Sequence, residues 1–268
     1  MIKAIVTGAA GRMGCSIIRA IHQTDGIEVV GAVERDGHPL FGRDVGEVAG
    51  SGPMKVRIVY GLENILERAD VVIDFTTPQA TIANMEKVTT AGKAWVIGST
   101  GFTKEEEDNL RRLTGKFPCV FSPNMSVGVN ILFRIIQDVA RVLGDDYDVE
   151  IIEAHHRHKK DAPSGTAMKM AQVVANSLGR DLSVVGKFSR HGITGERDRK
   201  EIGVQSIRAG DIVGDHTVMF CGTGERIEIT HRAQSRDNFA IGAVRAAMWV
   251  VKQKPGMYDM MDVLGLKR

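Results

Sequence analysis

The stretch from Ile2 to Gln23, IKAIVTGAAGRMGCSIIRAIHQ, decides the fold. It opens with an apolar run closed by Gly8 and continues into Met13, Ile17 and Ile21 at helical spacing, with Ile18 widening the apolar face. The pattern reads as strand, tight turn, helix. The turn itself, Gly8-Ala9-Ala10-Gly11-Arg12-Met13-Gly14, is a G-x-x-G-x-x-G variant of the dinucleotide fingerprint. Its glycines allow a sharp turn and the close approach of a pyrophosphate to a helix N-terminus. Structural turns use the same residues, so a second signal is needed. The next β-like run, Glu28 to Glu34 (EVVGAVE), supplies it by ending in an acid twenty positions beyond Gly14, where a carboxylate can accept ribose hydroxyls. Arg35 follows, and a guanidinium there can instead grip a 2'-phosphate. The pair Glu34 and Arg35 predicts use of both NADH and NADPH.

Three further β-like runs keep the same rhythm and end in small or polar residues. RADVVIDFTTP ends at Asp74-Phe75-Thr76, KAWVIGSTGF at Gly98-Ser99-Thr100, and PCVFSPNMSVG at Ser122-Pro123-Asn124-Met125. In a doubly wound sheet the carboxyl ends of the strands line the ligand crevice, so these tips are candidate contacts for the nicotinamide half. The charged stretch TKEEEDNLRRLTGK reads as a solvated helix with i,i+4 pairs and no chemistry of its own.

Beyond Asn124 the character changes. A helical segment, VGVNILFRIIQDVARVLG, is followed later by the runs EIGVQSIRAG, DIVGDHTVMFCG and ERIEITHRAQSR, which read as an antiparallel meander in a separate sheet. The last clear element, NFAIGAVRAAMWVVKQK, is an apolar-rich helix of the kind that packs back on a first domain. The expected fold is α/β: a Rossmann-type doubly wound parallel sheet plus a second α+β domain with a mixed or antiparallel sheet. The expected boundaries are 1–126 with 236–268 for dinucleotide binding, and 127–235 for substrate binding and oligomerisation.

A formal net charge of +2 over 268 residues argues against a nucleic-acid binder, which carries a pronounced basic stripe. No apolar run approaches the roughly 18 residues of a membrane span, and the N-terminal residues lack the layout of a signal peptide. Cys15, Cys119 and Cys221 are odd in number and widely spaced, which suits neither a disulfide framework nor a metal site and points to a reducing, cytoplasmic setting.

One segment concentrates cationic character: Glu153 to Ala167, EAHHRHKKDAPSGTA. A β-like run, YDVEIIEA, leads into it, and a helix pattern beginning at the Ser164 N-cap leads out. Its histidines lack the Cys or carboxylate partners of a metal site, and Gly165-Thr166 lack the pattern of a phosphate-binding P-loop. A solvated charge run remains one reading. The other is an anion site, because the segment ends at a helix N-terminus and offers a proton donor near neutral pH beside a fixed positive charge. A small carboxylate ligand fits that combination.

These residues resemble the signature of the dihydrodipicolinate reductase family, and GAAGRMG, GSTGF and SPNMSVGVN resemble that family's nucleotide-side motifs in the same order. The resemblance covers essentially the whole chain. It implies an NAD(P)H-dependent reduction of a cyclic imine dicarboxylate in diaminopimelate and lysine biosynthesis, carried out by a homotetramer. It implies catalytic roles for His155 and Lys159, either of which could deliver the proton, and substrate binding by His156, Gly165 and Thr166. On the nucleotide side it implies Gly8, Ala9, Ala10, Gly11, Arg12 and Met13, then Glu34 and Arg35, Gly98 to Thr100, and Ser122 to Met125.

Overall fold

The structure is a computed structural model that describes residues 1–267. In chain order its elements are β1 (Ile2–Thr7), α1 (Arg12–His22), β2 (Ile27–Val33), α2 (Val45–Ala49), β3 (Ile58–Val59), β4 (Val71–Asp74), α3 (Pro78–Ala91), β5 (Ala94–Ile97), α4 (Lys104–Leu113) and β6 (Pro118–Phe121). There follow α5 (Val127–Leu143), β7 (Asp148–His155), α6 (Gly165–Ser177), α7 (Leu182–Val185), β8 (Gly186–Lys187), β9 (Ile202–Arg208), β10 (Gly214–Cys221), β11 (Arg226–Ala233), α8 (Asp237–Val250), β12 (Gly256–Tyr258) and α9 (Met260–Val263). The chain divides into two compact units, one of Met1–Val127 with the segment from Arg236 onward, the other of Gly128–Ser235.

The first unit carries a seven-stranded sheet in the order β12-β6-β5-β4-β1-β2-β3, with every pairing parallel. Its central strands are continuous apolar runs because both faces are covered, as parallel sheets require. Ala4, Val6, Val71, Ile73 and Val96 point to one core with Ile17 and Ile21 of α1 and Ala243 and Ala247 of α8. Ile5, Val72, Trp95 and Ile97 point to the other core, with Met85 and Val88 of α3 and Leu110 of α4. The chain order reverses between β1 and β4, which makes their carboxyl ends the switch point where such sheets bind ligands. Helix α8 packs on α1, β4, β5 and β6, so the C-terminal part completes this unit, and β12 adds a seventh strand beside β6 that the sequence pattern does not reveal. Charged α4 is fixed by a capping box between Thr103 and Glu106, and the expected i,i+4 ion pairs do not form among the described residues.

The second unit has a five-stranded mixed sheet, β11-β10-β7-β9-β8. Here the expected meander is corrected. Strand β7 inserts between β9 and β10, pairing parallel with β9 and antiparallel with β10, and only β10 and β11 form a hairpin. The connection from β9 to β10 thus jumps a strand that was laid down earlier in the sequence, and a purely local reading of turns misses it. On β7 the buried positions are Val149, Ile151 and Glu153; on β10 they are Gly214, His216, Val218 and Phe220. This inner face packs against α5 and α6 through Leu132, Phe133, Ile136, Met170 and Val174. At one end of it the apolar series gives way to Glu153 and His216. No helix among the described residues is long and apolar enough to cross a membrane.

Candidate active site

In the first unit the glycine turn is built by close approach. Gly8 has φ +62, and the Gly11 amide donates to the Gly8 carbonyl at 2.9 Å. A Cβ on Gly14 would lie 2.2 Å from that same carbonyl oxygen, so only glycine lets α1 start so near the turn. The α1 N-terminus has no side-chain cap and no acid in its first turn, and Gly11 and Arg12 are exposed. Amides without an acid in that first helical turn fit a pyrophosphate. Ala9 is buried and donates to the Val33 carbonyl at 3.2 Å, tying the turn to β2. Glu34 stands at the end of β2, where Oε1 accepts from the Ala10 amide at 2.9 Å and Oε2 from the Arg35 amide at 3.2 Å. The carboxylate therefore latches the turn, and the Arg35 side chain is exposed.

The other strand tips divide by direction. Thr100 and Pro123 are exposed, whereas Ser99, Ser122 and Met125 are buried. Ser99 Oγ donates to buried Asp74 at 3.4 Å, and Ser122 Oγ donates to the Asn124 carbonyl at 3.0 Å. Met125 belongs to the core, where its carbonyl would meet a Cβ on Gly242 at 1.8 Å. At these three positions the side chain is committed to the protein interior. Gly98 is half-buried against the Phe75 ring, which a Cβ there would strike at 2.3 Å. Asp74, named only as part of a strand tip that could meet the nicotinamide half, is fully buried and accepts from Thr76 and Ser99. Burial pushes its pKa up, partly offset by donors from Thr76 and the neighbouring hydroxyls.

In the second unit the cationic segment gathers around a carboxylate. Glu153 and His155 are two apart on β7 and share its inner face, so Glu153 Oε2 reaches His155 Nδ1 at 2.6 Å. Arg208, opposite His155 on β9, forks onto Glu153 with Nη1 to Oε2 at 2.8 Å and Nη2 to Oε1 at 2.7 Å. The Ser164 amide donates to Oε1 at 3.0 Å, and Ser164 Oγ caps α6 by accepting from the Ala167 amide at 3.2 Å. His216 faces Glu153 across β10 and meets Ser164 Oγ through Nε2 at 3.1 Å. Burial would raise the Glu153 pKa, but donors from Arg208, His155, Ser206 and Ser164 outweigh it and hold the carboxyl at about 2. Burial lowers both histidines, taking His216 to about 4; for His155 the Glu153 carboxylate opposes the shift while Lys159 and Arg208 add to it.

The structure brings His155, Lys159 and the start of α6 into one loop system. Lys159 Nζ is held by Asp161 Oδ1 at 2.9 Å, and the Asp161 carbonyl is in turn bound by Arg208 at 2.7 Å. His156 is half-buried and its Nδ1 has no hydrogen-bond partner among the described residues. Gly165 is exposed and Thr166 half-buried in the first turn of α6. That turn, a lysine and two histidines form an arrangement able to fix carboxylates by charge-assisted hydrogen bonds and to move a proton.

Comparison with known proteins decides the family. The family description "Dihydrodipicolinate reductase, N-terminus" matches residues 2–125, and its C-terminal counterpart matches residues 128–264. The chain belongs to the dihydrodipicolinate reductase family. A 4-hydroxy-tetrahydrodipicolinate reductase from Syntrophobacter fumaroxidans is 56% identical over 267 residues, covering 100% of both chains. The enzyme of that name from Geotalea uraniireducens is 58% identical over the same span and coverage. Among solved structures, a dipicolinate-bound dihydrodipicolinate reductase from Paenisporosarcina sp. TG-14 superposes with a TM-score of 0.75 at 25% identity, covering 98% of each chain. An amine dehydrogenase from Mycobacterium smegmatis shares the fold at a TM-score of 0.59, 14% identity and coverage of 96% and 94%. The reductase family thus carries both the Rossmann-like sheet and the mixed sheet of this chain. Sequence reasoning singled out the histidines and Lys159 of the loop but missed Glu153, Arg208 and His216. The signal was the strand phase, which places Glu153 and His216 on buried positions of β7 and β10.

Proposed function

We propose that this chain reduces 4-hydroxy-tetrahydrodipicolinate to tetrahydrodipicolinate at the expense of NAD(P)H, a step of diaminopimelate and lysine biosynthesis. The observation that carries the reading is the loop in which His155, Lys159 and the α6 N-terminus converge, in a chain related over its full length to reductases of that name. The amides of Gly165 and Thr166 and the side chain of His156 bind the substrate carboxylates. His155 and Lys159 supply the acid that protonates C3 of the ring, after water has left C4. A bound nicotinamide supplies the hydride for C4. Gly8 to Met13 bind its pyrophosphate, Glu34 and Arg35 its adenosine ribose, and the tips Gly98 to Thr100 and Ser122 to Met125 its nicotinamide half. Because Glu34 serves the 2'-hydroxyl and Arg35 a 2'-phosphate, the chain uses both NADH and NADPH.

The working form is a cytoplasmic homotetramer joined through the second unit. Exposed Ile207 on β9 and Ile227 on the edge strand β11 support that assignment, since large apolar side chains left in solvent favour a covering partner. Light scattering of the purified chain tests it.

The decisive assay mixes the folded protein with NADPH and the imine dicarboxylate. Oxidation of NADPH that depends on the imine is expected. Cofactor binding without turnover would instead make the chain a nucleotide-binding protein, and equal turnover on simple keto acids would make it a different dehydrogenase.

A further inference from the structure

The interactions around Glu153 exceed what a surface ion pair needs. Its carboxylate is fully buried at the polar end of the inner face, and donors from four residues converge on it: both Nη atoms of Arg208, the Ser164 amide, His155 Nδ1 and the Ser206 hydroxyl. An ionised carboxylate only accepts, so the ring nitrogen facing it must carry the proton. The other end of the ring is treated in the opposite way. His155 Nε2 makes no hydrogen bond among the described residues, and it lies beside Gly214, where a Cβ would lie 3.0 Å from Nε2 and 3.4 Å from Cδ2. Glycine keeps that flank clear at the first residue of β10.

We propose that Glu153 is a positioning residue for His155: it fixes the Nδ1–H tautomer and leaves Nε2, on the flank that Gly214 clears, as the atom that meets the substrate. The inference rests on the reductase reading of the site and deepens it. Neutral His155 then presents a lone pair at Nε2. When Nε2 takes up a proton, the imidazolium is stabilised by the carboxylate at the opposite nitrogen. Transfer to C3 breaks the Nε2–H bond, forms the C3–H bond and returns the ring to its neutral tautomer. The groups facing His155 are Glu153 on β7, Arg208 on β9, His216 on β10, whose ring centroid is 5.2 Å away, and Lys159 and Ser164 from the loop and α6. Glu153 is the one anion in that set. Without it the ring would lose the anion at Nδ1 and keep the Arg208 guanidinium and the Lys159 ammonium nearby, and its proton affinity would drop.

The test begins with the unmodified protein. Histidine-selective ¹⁵N spectra, with His155→Gln for assignment, should show neutral His155 protonated at Nδ1; a proton on Nε2 overturns the proposal. Glu153→Gln should lower kcat on the order of 10- to 100-fold with the imine, leave cofactor affinity unchanged, and move the histidine limb of the pH profile to lower pH. Glu153→Asp, which keeps the charge, should recover part of the loss. A folded Glu153→Gln protein with wild-type kcat and pH profile overturns the proposal. Should that variant fail to fold, Gly214→Ala decides the Nε2 half with Glu153 intact. A several-fold fall in kcat with the Nδ1–H tautomer retained supports it, and unchanged turnover overturns it. A wild-type protein inactive on the imine removes the reductase reading, while the tautomer spectrum still judges the Glu153–His155 pair.

Discussion

The two candidate ligand regions are made by opposite means. Around Gly8 to Gly14 the site consists of missing side chains: a Cβ at Gly14 would enter the Gly8 carbonyl, and α1 begins with bare amides. Around Glu153 the site consists of crowded ones, with an acid, an arginine, two histidines and a serine brought together from β7, β9, β10 and the start of α6. A backbone cradle recognises a ligand by shape and dipole, and the one carboxylate in it, Glu34, latches the Ala10 amide. A side-chain network can move protons, but each member depends on the others. The first should therefore fail through affinity and the second through turnover.

Substitutions in the second region should break that contrast most sharply if it is wrong. His155→Gln or Lys159→Ala should lower kcat on the order of 10²-fold or more, the usual contribution of a positioned acid or base, with nucleotide affinity nearly unchanged. Steady-state kinetics with calorimetric titration of the cofactor gives both numbers. Near-wild-type turnover in either variant would remove that residue from the chemistry.

The complementary change is Gly14→Ala. Its methyl group would overlap the Gly8 carbonyl at 2.2 Å, so the turn must open or α1 must shift. Overpacking of this kind costs about 1 to 3 kcal/mol. Nucleotide affinity should fall about 10- to 100-fold, while binding of a dicarboxylate such as pyridine-2,6-dicarboxylate to the other unit stays near wild type. A loss of dicarboxylate binding instead would show that the two regions are not separable.

This difference also explains what could be read from the sequence. The cradle is local: Gly8, Gly11 and Gly14 lie within seven residues, and Glu34 follows at the end of the next strand, so spacing alone reveals strand, turn, helix and acid. The loop from His155 to Thr166 is equally local, and its histidines and Lys159 stand out. What holds the loop is not local. Arg208 reaches Glu153 from β9 and His216 from β10, because β7 inserts between those two strands. A reading that joins neighbouring β-like runs into a meander places β9 beside β10 and leaves β7 without these partners. Strand β12 was missed for a different reason: its three residues beside β6 are too few to show a periodicity.

Acid titration should separate the regions again, by a smaller margin. His216 has its pKa lowered by burial to about 4, so between its ordinary value near 6.5 and 4 the unfolded chain takes up a proton that the folded chain refuses. Stability should decline as pH falls through that window. Glu153, held at about 2 against an ordinary 4.5, adds a second decline between 4.5 and 2, because protonating it costs the folded network its acceptor. Urea unfolding followed at pH 7 and pH 4.5 should show a loss of about 2 kcal/mol, and His216→Gln should flatten the upper part of the slope. A slope unchanged in that variant would place the acid sensitivity elsewhere.

The smallest effect tests whether the cradle has any charge-dependent part. Arg35 is exposed at the end of β2, and an exposed guanidinium contributes about 1 kcal/mol to an ionic contact in water. Arg35→Ala should therefore weaken NADPH by several-fold and leave NADH nearly untouched. Glu34 needs a different substitution, because its Oε1 also accepts the Ala10 amide at 2.9 Å. Glu34→Ala would release the turn and weaken both cofactors, hiding any preference. Glu34→Gln keeps an acceptor for Ala10 but removes the negative charge beside the ribose, so it should weaken NADH modestly and improve NADPH, whose 2'-phosphate the carboxylate repels. Titrating both cofactors into both variants, at low and at moderate salt, gives the answer. Losses that are equal for the two cofactors, or indifferent to salt, would mean that Glu34 serves only as a latch on the glycine turn and that cofactor choice is made by other residues.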